Sequence, residues 1–507
     1  MSPPPAGERR ASGEREAGGL VGATLRGAAW VGASRIGGRL LFFACTLLLA
    51  RWLDREDFGV AAYAITLIAL FGSVPGLGLA PALIHHRDDA ETLDTGFWLG
   101  VAAGCLAFAL VWAAAPLSGW IFGDDRAIGV TRALGLVFPL EALRNVHATL
   151  LRKRLAFRRR FVPEMVQSTA KGLVAIGLAL AGFGHWSLIW GSVAATALGI
   201  PVYWIVSGWR PGLRFRTAAA SRLLPFGGHI VAVDLLGAFV RNLDYLLVGR
   251  LLGAATLGVY TLAFRIPDLL IRDLCLTLGQ VLLPVYANAQ GEPETIRSAF
   301  RATTAYVAAV TAPMAIGLAL VAEPLVITAF SDKWREMASV LPPICAYAFF
   351  VSLAFNLGDL YKALGRPELL TRLSILRACI AAPAIGFAAG VVGTATAVGW
   401  AQALVAGIAL VANFTVARAV LGLPVGSALA RILPIGMACG VMAAAVVSVA
   451  PVLETSSAAT QLLACSLVGA AAYAAALRLL AREFCEDGVR ALLEVLSRRR
   501  VAAGAAP

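Results

Sequence analysis

The length of its apolar runs most constrains what this chain can fold into. Fourteen stretches, the first near 27–50 and the last near 459–481, stay mostly apolar over span length. A helix needs about 20 such residues to cross the hydrocarbon core of a bilayer. The runs are continuous and do not alternate with period two, which excludes a β-barrel. Of the 507 residues, 59% are hydrophobic and 14% charged, against about 25% charged in soluble domains. There is too little polar surface for a soluble fold. The reading is an all-α polytopic membrane protein of about 14 transmembrane helices.

Charge then fixes the orientation. The chain carries 43 Lys and Arg against 30 Asp and Glu, a net +13. In a soluble protein that excess suggests nucleic acid; in a membrane protein it marks cytoplasmic loops. Counted over alternate loops, 28 basic residues fall on one side and six on the other (Arg51, Arg55, Arg126, Arg250, Lys333 and Arg335). The basic side is cytoplasmic, so both termini are inside and no nucleic-acid partner is expected. The implied layout is a flexible cytoplasmic tail at 1–24, six-helix lobes at 25–222 and 223–425, two additional helices at 426–483, and an amphipathic cytoplasmic tail at 484–507.

Enzyme signatures are missing. There is no GxxxxGK[ST], HExxH or GxSxG, and the short loops leave no room for a catalytic domain. The eight cysteines are scattered without zinc-ligand spacing. No catalytic residue, metal or cofactor is expected.

The chain carries an internal repeat. At a constant offset of 199 residues, Arg51, Leu53, Gly59, Val60 and Ala64 recur as Arg250, Leu252, Gly258, Val259 and Ala263. Six helices separate the copies, and six is even, so the repeats are parallel and related by an axis along the membrane normal. A cleft between two such lobes suits alternating access.

Nine basic residues lie within spans, where each costs a few kcal/mol and calls for a cavity or a partner. Local pairing is available for several: Arg241 with Asp244, Arg265 and Arg272 with Asp268, and Arg144 with Glu141 at helical spacing; Lys171 stands two turns from Glu164. Buried pairing between helices is the alternative to a cavity role for all of them. Arg35 and Arg39 differ: four apart on one face, they share the first span with no acid. Two cations on one intramembrane face invite an anion, and the planar guanidinium fork matches phosphate. Pairing to an acid on another helix is the competing reading.

Several segments resemble a known family. Leu48-Leu49-Ala50-Arg51-Trp52-Leu53-Asp54-Arg55-Glu56-Asp57-Phe58-Gly59 is similar to the turn motif of bacterial oligosaccharide flippases. These are the Wzx-like polysaccharide transporters of the multidrug/oligosaccharidyl-lipid/polysaccharide exporter superfamily. Thr95-Gly96-Phe97-Trp98, Gly208-Trp209-Arg210-Pro211, Arg241 to Arg250 and Ala363-Leu364-Gly365-Arg366-Pro367 extend the resemblance over about residues 25–425.

The resemblance implies a fourteen-helix transporter of the bacterial inner membrane. Such a protein moves a polyprenyl-diphosphate-linked oligosaccharide to the periplasmic leaflet and works beside membrane lipids, a polysaccharide polymerase and export machinery. Arg35 and Arg39 then become the diphosphate candidates. Arg144, Lys171, Arg241, Arg265 and Arg272 are further cavity candidates, and Asp244, Asp268 and Asp359 are candidates for ion coupling. The competing functions are a cation-coupled drug exporter of the same superfamily and a membrane enzyme of polysaccharide assembly. The first would want an acidic, aromatic-lined cavity and the second large outer loops.

Overall fold

The computed structural model describes residues 37–72, 90–154, 156–276, 293–364, 366–422 and 425–482. Among them there is no strand, as lipid requires when no water is present to satisfy an open backbone. Nine helices among the described residues are long and apolar enough to cross a membrane. The chain divides between Thr261 and Leu262 into two compact units.

The first unit contains α1 (37–52), α2 (Arg55–Leu70), α3 (Ala90–Phe122), α4 (Arg126–Gly135), α5 (Val137–Lys153), α6 (Phe157–Leu180), α7 (His185–Ser207) and most of α8 (Thr217–Pro267). The apolar run at 128–151 reads as one span, yet it forms two helices with a turn at Leu136. Pro139 explains the break: its ring collides with the carbonyl four residues back, and it has no N–H to donate there. The runs at 225–250 and 257–287 read as separate spans, and α8 is accordingly broken between them by a sharp kink at Gly253, φ 81°. That conformation strains any residue with a Cβ.

The two copies of the repeat motif meet inside this unit. A Cβ built on Gly59 of α2 would collide with the carbonyl oxygen of Ala254, and one built on Gly258 of α8 with that of Arg55. The stretch of α8 around Gly258 therefore packs on α2, and the first unit ends at residue 261, after the crossing. At the start of α2, Asp57 accepts the N–H of Asp54 (3.1 Å) and that of His185 (2.8 Å). One carboxylate thus ties together the first turns of α2 and α7.

The second unit contains α9 (Pro293–Leu320), α10 (Ala322–Ala329), α11 (Met337–Ala363), α12 (Pro367–Phe387), α13 (Ala395–Leu421), α14 (Val425–Val449) and α15 (Ala458–Leu480). Its core gathers Phe300, Leu357, Tyr361 and Phe414. Lipid is as apolar as these side chains, so close packing and interhelical hydrogen bonds hold the helices together. Asn356 donates to Thr303 (2.7 Å) and Ser352 to Thr311 (3.0 Å), joining α11 to α9. Tyr473 of α15 donates to the Ala309 carbonyl (2.6 Å), attaching the last helix to the same core.

Candidate functional site

A cavity of about 630 Å³ opens within the first unit. Three of the cations singled out in the sequence line it: Arg39 from α1, Arg144 from α5 and Lys171 from α6. Two carboxylates, Glu141 and Glu164, share the lining. Helical spacing creates the convergence. Glu164, Gln167, Ser168 and Lys171 stand at i, i+3, i+4 and i+7, one polar stripe along α6, and all four face the cavity.

The carboxylates are engaged by arginines. Glu141 takes Arg144 at 2.7 Å, and the Arg144 guanidinium lies 5.7 Å from the centre of the Tyr203 ring. Glu164 accepts from Arg160 at 2.6 Å, one helical turn away. Lys171 extends its ammonium over the Phe42 ring, 4.6 Å from the centroid, a cation–π contact that holds the charge at the cavity wall. With three cations against two carboxylates, the lining favours an anion. Ser192 and Thr196 of α7 complete a hydroxyl-bearing side. Their hydroxyls donate to the carbonyls of Leu188 and Ser192, leaving oxygen lone pairs to accept from a ligand. Ile65, Ile68, Leu134 and Phe138 form the apolar side.

The remaining candidates lie elsewhere. Arg35 is outside the described residues, as is the side chain of Asp359. Arg241 is exposed and makes no ion pair among the described residues; its expected partner Asp244 is instead buried and accepts from the Tyr260 hydroxyl at 3.0 Å. Arg272 bonds Asp268 at 3.5 Å, the pairing its spacing predicts. Arg265 is half-buried on the same stretch of chain.

Gln167, Ser168, Ser192, Thr196 and Phe42 belong to the cavity and were not singled out in the sequence. The i, i+3, i+4, i+7 polar stripe on α6 was the signal that could have found the first two. Arg160, which spacing reasoning did not single out, is the partner of Glu164.

Solved structures define the class of fold. The chain matches the lipid II flippase MurJ in an inward closed conformation with TM-score 0.69 at 13% identity, covering 90% of this chain and 99% of that one. It matches an inward-facing multidrug resistance MATE transporter of the MOP superfamily with TM-score 0.64 at 14% identity, over 76% and 94% of the two chains. The fold is that of these membrane transporters. A family model described as "Polysaccharide biosynthesis protein" matches residues 48–339, and the chain belongs to that family. Its relatives include the lipopolysaccharide biosynthesis protein WzxC of Escherichia coli K12, 25% identical over 73% of this chain and 76% of the relative. The succinoglycan biosynthesis transport protein ExoT of Rhizobium meliloti is 26% identical, over 72% and 74%. Family and apolar helices together make this a multi-pass protein of a bacterial inner membrane.

Proposed function

We propose that this chain is a flippase with no chemistry of its own. It moves a polyprenyl-diphosphate-linked oligosaccharide from the cytoplasmic to the periplasmic leaflet by alternating access, for surface polysaccharide biosynthesis. The observation that carries this reading is the convergence of Arg39, Arg144 and Lys171 on one cavity of about 630 Å³ that also has a hydroxyl-bearing wall. The diphosphate meets the cations, and Arg35, four residues before Arg39 in the sequence, is a further candidate for it. The sugar lies along Ser192, Thr196 and Gln167, and the lipid tail stays in the bilayer.

In this reading about fourteen helices cross the membrane with both termini cytoplasmic. Six-helix lobes at 25–222 and 223–425 are followed by the helix pair at 426–483. The acids Asp244, Asp268 and Asp359 are assigned to ion coupling, and a polysaccharide polymerase and export machinery receive the product. Relatives named for polysaccharide biosynthesis and transport support the substrate class.

The test is reconstitution into vesicles with a fluorescent polyprenyl-diphosphate oligosaccharide, following its transbilayer movement. Wild type should flip it, and Arg39→Ala plus Lys171→Ala should not. Unimpaired flipping by the double variant overturns the site. Absence of flipping by wild type across several lipid-linked sugars, with export of cationic drugs instead, overturns the function.

A further inference from the structure

The connection that follows α7 is built to meet a membrane surface. Helix α7 is an apolar span that ends at Ser207, and residues 208–216 after it form no helix or strand. Such a segment would usually be mobile, but this one is fastened to the first turns of α3. The Gly212 N–H donates to Asp94 Oδ1 (2.9 Å), and its carbonyl accepts from the Trp98 indole (2.8 Å). The Arg216 N–H donates to the Thr95 hydroxyl (3.1 Å), and its guanidinium pairs with Glu91 (2.7 Å). Trp209 sets its ring edge-on to Phe97 and His147, with centroids 5.9 and 5.1 Å apart.

The rigid segment presents four side chains outward. Leu213 is 89% and Phe215 54% exposed. Arg210 and Arg214 are exposed and have no ion-pair partner among the described residues. The two acids beneath them are already engaged, Asp94 by the Gly212 backbone and Glu91 by Arg216. The segment is therefore net positive, with apolar and basic side chains interleaved at the end of a span. Apolar side chains held rigidly at a bilayer boundary enter the acyl region, while arginines beside them sit at phosphate depth.

We propose that residues 208–216 form a binding site for the headgroup of an anionic glycerophospholipid. Arg210 and Arg214 grip its phosphodiester, and Leu213 and Phe215 pack against its acyl chains. In the orientation proposed above, the lipid belongs to the cytoplasmic leaflet. Charge complementarity selects an anionic over a zwitterionic headgroup, and the two exposed apolar side chains select a lipid over a free anion. The site lies apart from the cavity and does not depend on the flippase reading.

The experiment uses the full chain purified in mild detergent. Short-chain phosphatidylglycerol or phosphatidylcholine is titrated in, with native mass spectrometry counting bound lipid and thermal shift reporting affinity. Wild type should prefer phosphatidylglycerol. Arg210→Ala plus Arg214→Ala should weaken that binding roughly thirtyfold, the effect expected of two arginines at a lipid surface. Leu213→Ser plus Phe215→Ser should weaken binding of both lipids. Arg431→Ala plus Arg478→Ala removes the same charge from other exposed positions and should bind like wild type. Equal losses in the two arginine pairs, unchanged phosphatidylglycerol affinity in the first pair, or full competition by millimolar inorganic phosphate would each overturn the proposal. Lipid-free melting temperatures identify a variant that fails to fold, and the apolar pair then carries the test.

Discussion

Gly59 and Gly258 face one another across the α2–α8 crossing, each against the backbone of the other's helix. A Cβ on Gly59 would meet the Ala254 carbonyl and one on Gly258 the Arg55 carbonyl. Residues 55 and 254 are related by the same offset of 199 as residues 59 and 258. The crossing is thus locally two-fold symmetric, and each copy of the motif supplies both the gap and the carbonyl that fills it. Glycine at this register lets two helix backbones approach closely, the arrangement by which helices associate in lipid.

A methyl group should not fit here. Overpacking a tight interior costs about 1–3 kcal/mol when side chains can shift; here the obstacle is backbone, so Gly59→Ala and Gly258→Ala should lie at the upper end. Gly177, on α6, has open space around its Cβ position, so Gly177→Ala should be neutral or slightly stabilising. Scanning fluorimetry of the three purified variants decides the matter. If Gly59→Ala melts with wild type, the crossing is looser than the geometry says.

The Glu141–Arg144 pair predicts a non-additive result. Both side chains are largely buried, 29% and 20% exposed, and lie 2.7 Å apart. Removing one partner of a buried pair costs about 3–5 kcal/mol, whereas replacing both with apolar residues is often close to neutral. Residual exposure trims the first figure here. Glu141→Leu alone should melt lower than Glu141→Leu plus Arg144→Leu. Singles that simply add up to the double would rule out the coupling.

At the other end of the unit, Asp57 links α2 to α7 and should make stability pH-dependent. The hydrogen bond with the His185 side chain, aided by the backbone N–H groups of Asp54 and His185, holds its carboxyl below the ordinary value of 3.8, although burial opposes the shift. A carboxyl depressed in the folded state adds stability above its unfolded pKa and loses it as pH falls through the folded one. Wild type should therefore exceed Asp57→Asn in melting temperature at neutral pH, with the gap closing only below the ordinary carboxylate range. A gap that is unchanged into strong acid would show that the ionised carboxylate is not what matters.

Residue type and spacing made part of this protein legible before any coordinates. Continuous apolar runs specify helices because lipid leaves the backbone no alternative. The Glu141–Arg144 and Asp268–Arg272 pairs follow from turn spacing alone. Which face of each helix points inward was not legible, since lipid and core are equally apolar and polarity does not separate them. Hence spacing left both a paired and a cavity role open for Arg144, Lys171 and Arg241; Arg144 has both, Lys171 lines the cavity, and Arg241 has neither among the described residues. Helix breaks were partly legible. The turn at Leu136 lies inside a single apolar run, where only Pro139 signals it, whereas the kink at Gly253 falls in the gap between the runs at 225–250 and 257–287.

The cavity's two walls should be separable by ligand. Arg39, Arg144 and Lys171 offer charge, whereas Ser192 and Thr196 offer neutral acceptors, their own protons being committed to helix carbonyls. A charge-assisted hydrogen bond contributes about 1.5–3 kcal/mol and a neutral one about 1. Arg39→Ala should therefore weaken binding of polyprenyl diphosphate roughly thirtyfold, with or without a sugar attached. Arg39→Lys should recover part of that loss, since it keeps the charge and gives up the planar fork. Ser192→Ala plus Thr196→Ala should leave the bare polyprenyl diphosphate untouched and weaken only the sugar-bearing lipid, by about five- to thirtyfold for the pair. Isothermal titration of the detergent-solubilised chain with both lipids reads the difference. Equal loss for both lipids in the hydroxyl variant would mean that those residues shape the cavity and do not contact the glycan.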